Sequence, residues 1–136
     1  MGIEANNYTF EKLEVYVMAR DYRKKICRLT KKLPKEEQYN LISQMRRAAV
    51  SLTNNIAEGH GRYHYQENIQ FLRHSRGSLE ELLDALNICI DENYANKTYI
   101  EKLKQEGYLL LKKFNGYIKY LKGKKLVSIN QSPITN

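Results

Sequence analysis

Hydrophobic residues recur along this chain at steps of three and four, the spacing that places them on one face of an α-helix. The step is most regular in two stretches, Leu41, Met45, Ala48, Leu52 and Ile56, and Ile100, Leu103, Gly107, Leu110, Phe114, Tyr117 and Leu121. Nowhere does the sequence alternate with the period of two that is typical of a half-buried β-strand. The pattern therefore predicts an all-α protein with helices at about 10–32, 35–58, 65–93 and 99–122.

The connectors between these predicted helices are short, which favours antiparallel neighbours. We expect an up-down-up-down four-helix bundle in a single domain of residues 1–126, since a chain of 136 residues is long enough to bury a hydrophobic core. From residue 127 the sequence is polar and unpatterned. Residues 127–136 are therefore predicted to form a flexible C-terminal tail.

Proline, glycine and threonine residues mark several predicted helix boundaries. Pro34 suits the first position of the second helix. Thr98-x-x-Glu101 has the form of a capping box at the start of the fourth helix. Gly59 and Gly61 suit a left-handed turn after the second helix, because glycine adopts that conformation without steric cost.

Small residues predict a close contact between the second and third helices. Ala48 and Ala49 lie on the second helix, and Ser75, Gly77 and Ser78 interrupt the apolar stripe of the third. A glycine inside a helix costs about 1 kcal/mol relative to alanine. We therefore expect Gly77 to be tolerated because the second helix approaches closely there, with Ala48 and Ala49 facing it.

The formal charge of +8 at pH 7, from 23 basic and 15 acidic residues, bears on the function. An excess of this size favours polyanions such as RNA or DNA as binding partners.

No apolar run approaches the ~20 residues of a membrane span, and the first ten residues lack the basic and apolar regions of a signal peptide. We expect a cytoplasmic protein with no membrane partner, in which Cys27 and Cys89 are reduced and lie within helices.

The longest distinctive motif is QMRRAAVSLTNNIAEGHGR. It is preceded by Phe10-x-x-Leu13 and Leu33-Pro34-x-x-Glu37 and followed by FLRHSRGSLEEL. Together these segments resemble the small four-helix-bundle proteins of bacteria, some of which are encoded by intervening sequences inside 23S rRNA genes. A related branch is an accessory to the reverse transcriptases of diversity-generating retroelements. The resemblance runs from about Phe10 to Leu121, with Tyr16 where the family often has tryptophan and Leu52 where it often has isoleucine.

The resemblance implies a four-helix bundle that assembles as a homo-oligomer, in the form of a pentameric barrel. It implies no known catalysis and a role with nucleic acid, either RNA or DNA. A reverse transcriptase or another protein is a further partner that the resemblance implies. The residues themselves support assembly, because Leu109, Leu111 and Ile118 add apolar surface beside the stripe of the fourth helix.

Motifs for catalysis and metal binding are missing. Di-iron sites in four-helix bundles need Glu-x-x-His pairs, but three residues before the histidines at 60, 64 and 74 stand Ala57, Gly61 and Phe71. There is no glycine-rich phosphate loop and no nucleophile motif. We expect no enzyme, and therefore no catalytic residue, no cofactor and no metal.

Glu58 is the one carboxylate whose surroundings leave an enzymatic alternative open, as a general acid or base. Pairing of a buried glutamate with arginine is the commoner arrangement. We therefore predict a structural polar cluster of Arg46, Asn55, Glu58 and Arg76.

A nucleic-acid site is predicted at one end of the bundle, where the second helix ends, the third begins and the fourth ends. The candidate residues there are Asn54, Asn55, Arg62, His64, Lys119, Lys122, Lys124 and Lys125. Arg46 and Arg47 are also candidates. Adjacent helix positions point about 100° apart, so the two side chains cannot both pack on the same seam, and one of them is left for a partner. At the opposite end, Asp91 and Glu92 are expected to offset part of the charge of the first helix.

The function that follows is a non-catalytic, basic protein that binds RNA through phosphates or acts as an oligomeric scaffold. The alternative is a protein-interaction module that binds an acidic partner or only itself. An enzyme that uses Glu58 is the third interpretation.

Overall fold

A computed structural model describes residues 9–131 of the chain. It contains four α-helices, α1 (Glu14–Thr30), α2 (Leu41–His60), α3 (Tyr65–Asp91) and α4 (Lys97–Gln131). Short 3₁₀ turns at Phe10–Lys12 and Lys35–Glu37 precede α1 and α2. Residues 9–131 include no β-strand. The predicted all-α class is confirmed.

The four helices pack as antiparallel neighbours in the order in which they occur in the chain. Side-chain hydrogen bonds join each neighbouring pair: Arg23 to Thr53 (2.7 Å), Ser75 to the carbonyl of Leu52 (2.8 Å), Arg76 to Asn115 (2.9 Å) and Lys25 to Glu106 (2.7 Å). This is the predicted up-down-up-down bundle. We call the end where α2 joins α3 the α2–α3 end, and the opposite end, where α1 joins α2, the α1–α2 end.

The core consists largely of the predicted apolar stripes. In α4, Tyr117 of the predicted stripe is half-buried, whereas Ile118, predicted beside the stripe, is buried. The stripe of α1 also needs a correction. The spacing of the first helix predicts Val17 in that stripe, but Val17 is 53% exposed, whereas Val15 and Ala19 are buried. The cause is a break before the helix, because Leu13 has an extended backbone (φ −67°, ψ 132°) and α1 begins only at Glu14. The largest fully buried side chains come from all four helices and include Ile26, Leu29, Met45, Leu52, Ile56, Leu72, Leu79, Leu86, Ile100 and Phe114.

The second helix begins later than predicted. Pro34 has an extended backbone (φ −60°, ψ 144°) and precedes the 3₁₀ turn rather than an α-helix. Asn40 then interrupts the chain (φ −126°, ψ −98°), and α2 starts at Leu41. A carboxylate oxygen of Glu37 accepts hydrogen bonds from the side-chain amide of Asn40 (3.2 Å) and the backbone N–H of Leu41 (3.4 Å). Glu37, and not Pro34, is therefore the residue that stabilises the start of α2, by accepting hydrogen bonds from Asn40 and Leu41.

The fourth helix differs from the prediction at both ends. The side chain of Asn96 accepts a hydrogen bond from the backbone N–H of Tyr99 at 3.0 Å, so Asn96 caps α4 and the predicted capping box at Thr98 is not used. The helix continues to Gln131 instead of ending near residue 122, because residues 97–131 contain no proline. Residues 127–131, predicted as tail, are thus helical, and residues 132–136 lie outside the described part.

Glycines play different parts from those expected. Between residues 9 and 131 no glycine has a positive φ, and Gly61 ends α2 in a right-handed conformation (φ −78°, ψ −4°). The left-handed residue is Asn93 (φ 58°), which follows α3 and belongs to a residue type that tolerates this conformation. The predicted left-handed turn at Gly59 and Gly61 is therefore wrong.

The close approach of α2 and α3 occurs at Gly59 and not at Gly77. A Cβ added at Gly59 would lie 2.7 Å from Cβ of Phe71 and 2.8 Å from Oδ1 of Asn68. A Cβ added at Gly77 would meet nothing within 4 Å. The expectation that Ala48 and Ala49 close on Gly77 is wrong, because Gly77 faces away from the seam while its neighbours Ser75 and Ser78 are buried against α2.

Alanine substitutions at these two glycines are expected to change stability in opposite directions. Gly59→Ala should destabilise the fold by about 1–3 kcal/mol, because the new methyl group overlaps a rigid Cβ. Gly77→Ala should stabilise it by somewhat under ~1 kcal/mol, because only the cost of glycine in a helix is removed. Chemical denaturation of both variants and the parent measures this difference, and a Gly59→Ala protein as stable as the parent would contradict the close contact.

A tyrosine–carboxylate hydrogen bond ties the two connectors at the α1–α2 end together. The hydroxyl of Tyr94 donates to Oε2 of Glu37 at 2.8 Å. This bond lowers the pKa of Glu37 below its usual range and raises the pKa of Tyr94 to about 12. The folded state therefore favours an ionised glutamate beside a neutral tyrosine.

The stabilisation from this pair is expected to depend on pH. The lowered pKa of Glu37 makes its contribution present above the ordinary value of 4.5 and lost as the pH falls below it. The raised pKa of Tyr94 makes its contribution present below pH 10.0 and lost as the pH rises towards about 12. Melting temperatures of the parent and Tyr94→Phe should thus differ most near neutral pH and converge at both extremes. A difference that stays constant with pH would show that the pair does not form.

Candidate nucleic-acid interface

The predicted basic residues at the α2–α3 end are brought together by the fold. The ammonium group of Lys125 donates to Oε1 of Gln66 at 3.1 Å, which fixes the last turns of α4 beside the start of α3. Lys119, Lys122 and Lys124 are exposed on the same part of α4. Arg62, His64 and Asn54 are exposed on the neighbouring parts of the chain. These residues form a solvent-accessible surface with several cations and few carboxylates.

Exposed aromatic side chains belong to the same surface, and sequence reasoning missed them. Tyr63 is 92% exposed and Tyr120 is 56% exposed. The ammonium group of Lys124 lies 5.6 Å from the ring centroid of Tyr120. From the sequence, no individual tyrosine was singled out for this surface. A signal was present for Tyr63, because it stands in a polar connector outside any apolar stripe.

The charge of Arg62 is partly offset. Its guanidinium group forms an ion pair with Glu58 one helical turn earlier (3.1 Å) and lies 4.8 Å from the ring centroid of Phe71. Both charged side chains are exposed, so the ion pair contributes little to stability. Arg62 is held against α3 and can still donate hydrogen bonds outward.

Arg46 and Arg47 do not belong to this surface. Both are exposed near the start of α2, and Arg47 lies 13 residues before the last residue of the helix, about 20 Å along the axis. Arg46 donates from Nε to the hydroxyl of Thr30 at 3.0 Å, on the neighbouring helix α1. Asn55 is half-buried and bonds within α2, to the carbonyl and hydroxyl of Ser51, both at 2.9 Å. Of the predicted α2 residues, Asn54 alone remains at the exposed α2–α3 end.

The predicted polar cluster of Arg46, Asn55, Glu58 and Arg76 is not formed. Each member has a different partner: Thr30 for Arg46, Ser51 for Asn55, Arg62 for Glu58 and Asn115 for Arg76. The geometry of α2 explains the separation, since Arg46 and Glu58 are about 18 Å apart along the helix axis. Arg76 instead faces α4. Glu58 is paired with an arginine as expected, but on the surface and not in the interior.

A second concentration of cations lies at the opposite end of the molecule. Five basic side chains line a groove of about 490 Å³ between α1 and α4, namely Lys25, Arg28, Lys31, Lys32 and Lys102. We call it the basic groove. Asp91 and Glu92 were expected to offset this charge, but they lie at the end of α3, and among the described residues no Cα atom of α3 is within 8 Å of a Cα atom of α1. The carboxylates therefore lie across the bundle from the cations of α1.

A third surface is apolar and lies on the same pair of helices, nearer the α2–α3 end. A groove of about 470 Å³ there is lined by Leu13, Val15, Leu109 and Tyr117, among others. We call it the apolar groove. Leu109 is 60% exposed, whereas Leu111 is half-buried and Ile118 is buried in the core. Of the three residues predicted to add apolar surface, only Leu109 presents most of its side chain to solvent.

Two titratable side chains, Cys89 and Tyr22, are buried in the core. Burial raises the pKa of Cys89 to about 11 and raises that of Tyr22 as well. The hydroxyl of Tyr22 donates to the carbonyl of Leu103 at 3.1 Å, across the α1–α4 seam. Within residues 9–131 no group of three or more His, Cys, Asp or Glu side chains is placed to hold a metal ion. No helix in that range is both long and apolar enough to cross a membrane.

Comparison with known proteins identifies a family for this chain. A comparison with curated proteins gives no significant match. The model of one protein family, described as 23S rRNA-intervening sequence protein, matches residues 11–116. This range extends from the turn before α1 well into α4 and covers more than half of the sequence. The chain therefore belongs to the 23S rRNA-intervening sequence protein family.

Proposed function

We propose that this protein is a non-catalytic RNA-binding protein that holds RNA phosphates at its α2–α3 end. The observation that carries the proposal is the exposed group of Lys119, Lys122 and Lys124 with the exposed ring of Tyr120, at the end of the molecule where the connector also exposes Tyr63. Lysine side chains bind phosphates without regard to sequence. Aromatic rings stack on unpaired bases. The two residue types together suit a single-stranded or looped RNA.

The charge distribution along α4 supports this site. No acidic residue follows Glu106, whereas six lysines do. Of these six, Lys113 lies nearer the middle of α4 and forms an ion pair with Glu14 of α1. The lysines beyond it have no carboxylate within ion-pair distance in the part of the chain that the structure describes. Their positive field is therefore available to a polyanion.

RNA is the nucleic acid to test first, with DNA second. The description of the family refers to intervening sequences of 23S rRNA. The geometry adds no preference between the two, because backbone contacts and stacking are available with either. The distinction therefore depends on experiment.

A non-catalytic role fits the surroundings of Glu58. An acid–base function needs a carboxylate whose pKa is shifted towards the working pH, usually by burial. Glu58 is exposed and pairs with Arg62. The enzymatic interpretation is for this reason the weakest of the three.

We further propose a homo-oligomer in the cytoplasm, with a pentamer as the first assembly to test. The apolar groove supports it, because Leu109, which lines that groove, is 60% exposed. Exposed apolar patches of this kind mark protein contacts. The alternative interpretation is a protein-interaction module, and an acidic partner would use the same lysines as RNA. A reverse transcriptase or another protein is a further partner to test.

The RNA site is expected to show in the salt dependence of binding. Lys119→Gln/Lys122→Gln/Lys124→Gln should reduce the slope of log K against log salt by about 1 for each lysine–phosphate pair that the substitutions remove. The matched control is Arg20→Gln/Lys24→Gln/Arg47→Gln, which removes the same charge from exposed positions away from this end. A single-stranded RNA titrated across a salt series, with polarisation as the signal, measures both slopes.

Two results would contradict the site. Equal losses of affinity in both triple variants would indicate attraction to a generally basic surface. Absence of RNA binding by the parent at low salt would remove the nucleic-acid interpretation and favour an acidic protein partner.

The assembly is expected to depend on Leu109. Light scattering on a gel-filtration peak should give several times the chain mass of 16.0 kDa for the parent, and five times for a pentamer. Leu109→Glu should lower that mass, because it places a charge in the apolar contact. Val50→Glu, at an apolar position of α2 that is 48% exposed, is the control. A monomeric parent at micromolar concentration would exclude the oligomer.

A further inference from the structure

The basic groove brings cations from two helices towards one another. Arg28, Lys31 and Lys32 are contributed by the end of α1 and the residues just after it, and Lys102 comes from the second turn of α4. The helix dipole explains cations at the C-terminal end of α1. It does not explain Lys102, which lies near the positive N-terminal end of α4. Like charges therefore converge here without a gain from the helix dipoles alone.

The nearby carboxylates offset only one of these cations. Glu106 accepts a hydrogen bond from Lys25 at 2.7 Å, and Asp21 lies 3.3 Å from the same ammonium group. Between residues 9 and 131 no carboxylate lies within 4.0 Å of the side-chain nitrogens of the other four cations. Four basic side chains thus share one groove without an ion-pair partner, while Glu106, which also lines the groove, is paired with Lys25. A bound anion would stabilise this arrangement.

The dimensions of the groove limit the class of anion. Its volume of about 490 Å³ lies within the range of small-molecule sites. Packed helices are about 8–10 Å apart, so a nucleic-acid duplex, whose major groove alone is about 12 Å wide, cannot enter between them. A small anion or the end of a single strand can.

Four cations in one groove match a group of adjacent phosphates better than they match the backbone of a nucleic-acid strand lying along the groove. A backbone carries one charge per nucleotide, so that pairing with four cations needs as many nucleotides inside the groove. A triphosphate carries similar charge in one compact group. Tyr99 and Leu103 give the groove an apolar side, and the ring of Tyr99 holds the ammonium group of Lys32 at 5.5 Å from its centroid. A sugar or base attached to the phosphates would contact this apolar side.

We propose that the basic groove binds a run of adjacent phosphates, as carried by a nucleoside triphosphate or by the 5′-triphosphate end of an RNA, through Arg28, Lys31 and Lys102. The site is separate from the α2–α3 end. From Lys102 to Lys122 the distance along α4 is about 30 Å. The two sites can therefore be disabled independently.

Calorimetry on the full chain tests the proposal with four probes. They are inorganic triphosphate, ATP, an RNA oligonucleotide with a 5′-triphosphate and the same oligonucleotide with a 5′-hydroxyl. The groove variant is Arg28→Gln/Lys31→Gln/Lys102→Gln. The matched control is Arg20→Gln/Lys24→Gln/Arg47→Gln, which removes equal charge from exposed positions outside both proposed sites. Circular dichroism checks that both are folded, and Lys102→Gln alone, at a partly exposed position, replaces the triple variant if that one unfolds.

The groove variant is expected to bind inorganic triphosphate and ATP about tenfold or more weakly than the parent, because charge-assisted hydrogen bonds are removed. The control should keep the affinity of the parent for both. The 5′-triphosphate RNA should bind more tightly than the 5′-hydroxyl RNA, and this difference should disappear in the groove variant. A preference for ATP over inorganic triphosphate would identify the nucleoside as part of the ligand, and equal affinity would identify the phosphates alone.

Three results would overturn the proposal. The first is that the parent binds neither triphosphate nor ATP at low salt. The second is an equal loss of affinity in the groove and control variants, which would indicate general basicity. The third is equal binding of the two RNA ends with an equal reduction in the groove variant, which would assign the groove to the backbone. Failure of RNA binding at the α2–α3 end changes none of these readouts.

Discussion

The close contact between α2 and α3 at Gly59 determines how the chain enters the exposed connector at the α2–α3 end. Gly59 has no side chain where Phe71 and Asn68 meet α2. Farther along the seam, the buried hydroxyl of Ser75 donates to the carbonyl of Leu52, so that a polar group is satisfied inside the core. The tight seam brings α2 and α3 close before the chain turns. The connector at residues 61–64 is consequently short and exposed, and it presents Tyr63 beside the end of α4.

The seam between α1 and α4 is of the opposite kind. Tyr22 bridges it through its hydrogen bond to Leu103, and Gly107 makes room for that ring, since an added Cβ would lie 2.6 Å from the hydroxyl oxygen. Above and below this contact the helices leave two grooves, one basic and one apolar. The side of the bundle formed by α1 and α4 therefore has accessible surface in both grooves. The phosphate site proposed in the basic groove and the proposed contact between subunits both lie on this side.

The features predicted correctly from the sequence are those that depend on hydrophobic periodicity. The wrong predictions concern features that a single contact determines. The stripe from Leu41 to Ile56 is buried as expected, because apolar burial is averaged over many residues. The start of α2, the orientation of Gly77 and the partners of Arg46 depend on individual hydrogen bonds and on helix rotation, which periodicity does not resolve. The cations at 119–125 were placed correctly at one end by topology alone. The basic groove was missed because its charge was weighed against Asp91 and Glu92, whose distance from α1 only the fold reveals.

Electrostatics keeps the two proposed phosphate sites separate. Charges in water at physiological salt are screened over about 8 Å, and the sites are about 30 Å apart along α4. An anion in the basic groove therefore does little to the field at the α2–α3 end, and each site retains its own affinity. One RNA molecule that reached both would gain from the high effective concentration of its second end. A single-stranded RNA with a 5′-triphosphate has the two features required, a terminal polyphosphate and unpaired bases farther along. Such a molecule would bind more tightly than the sum of separate fragments suggests, and shortening the strand below the span of the sites would remove this gain while leaving each fragment bound.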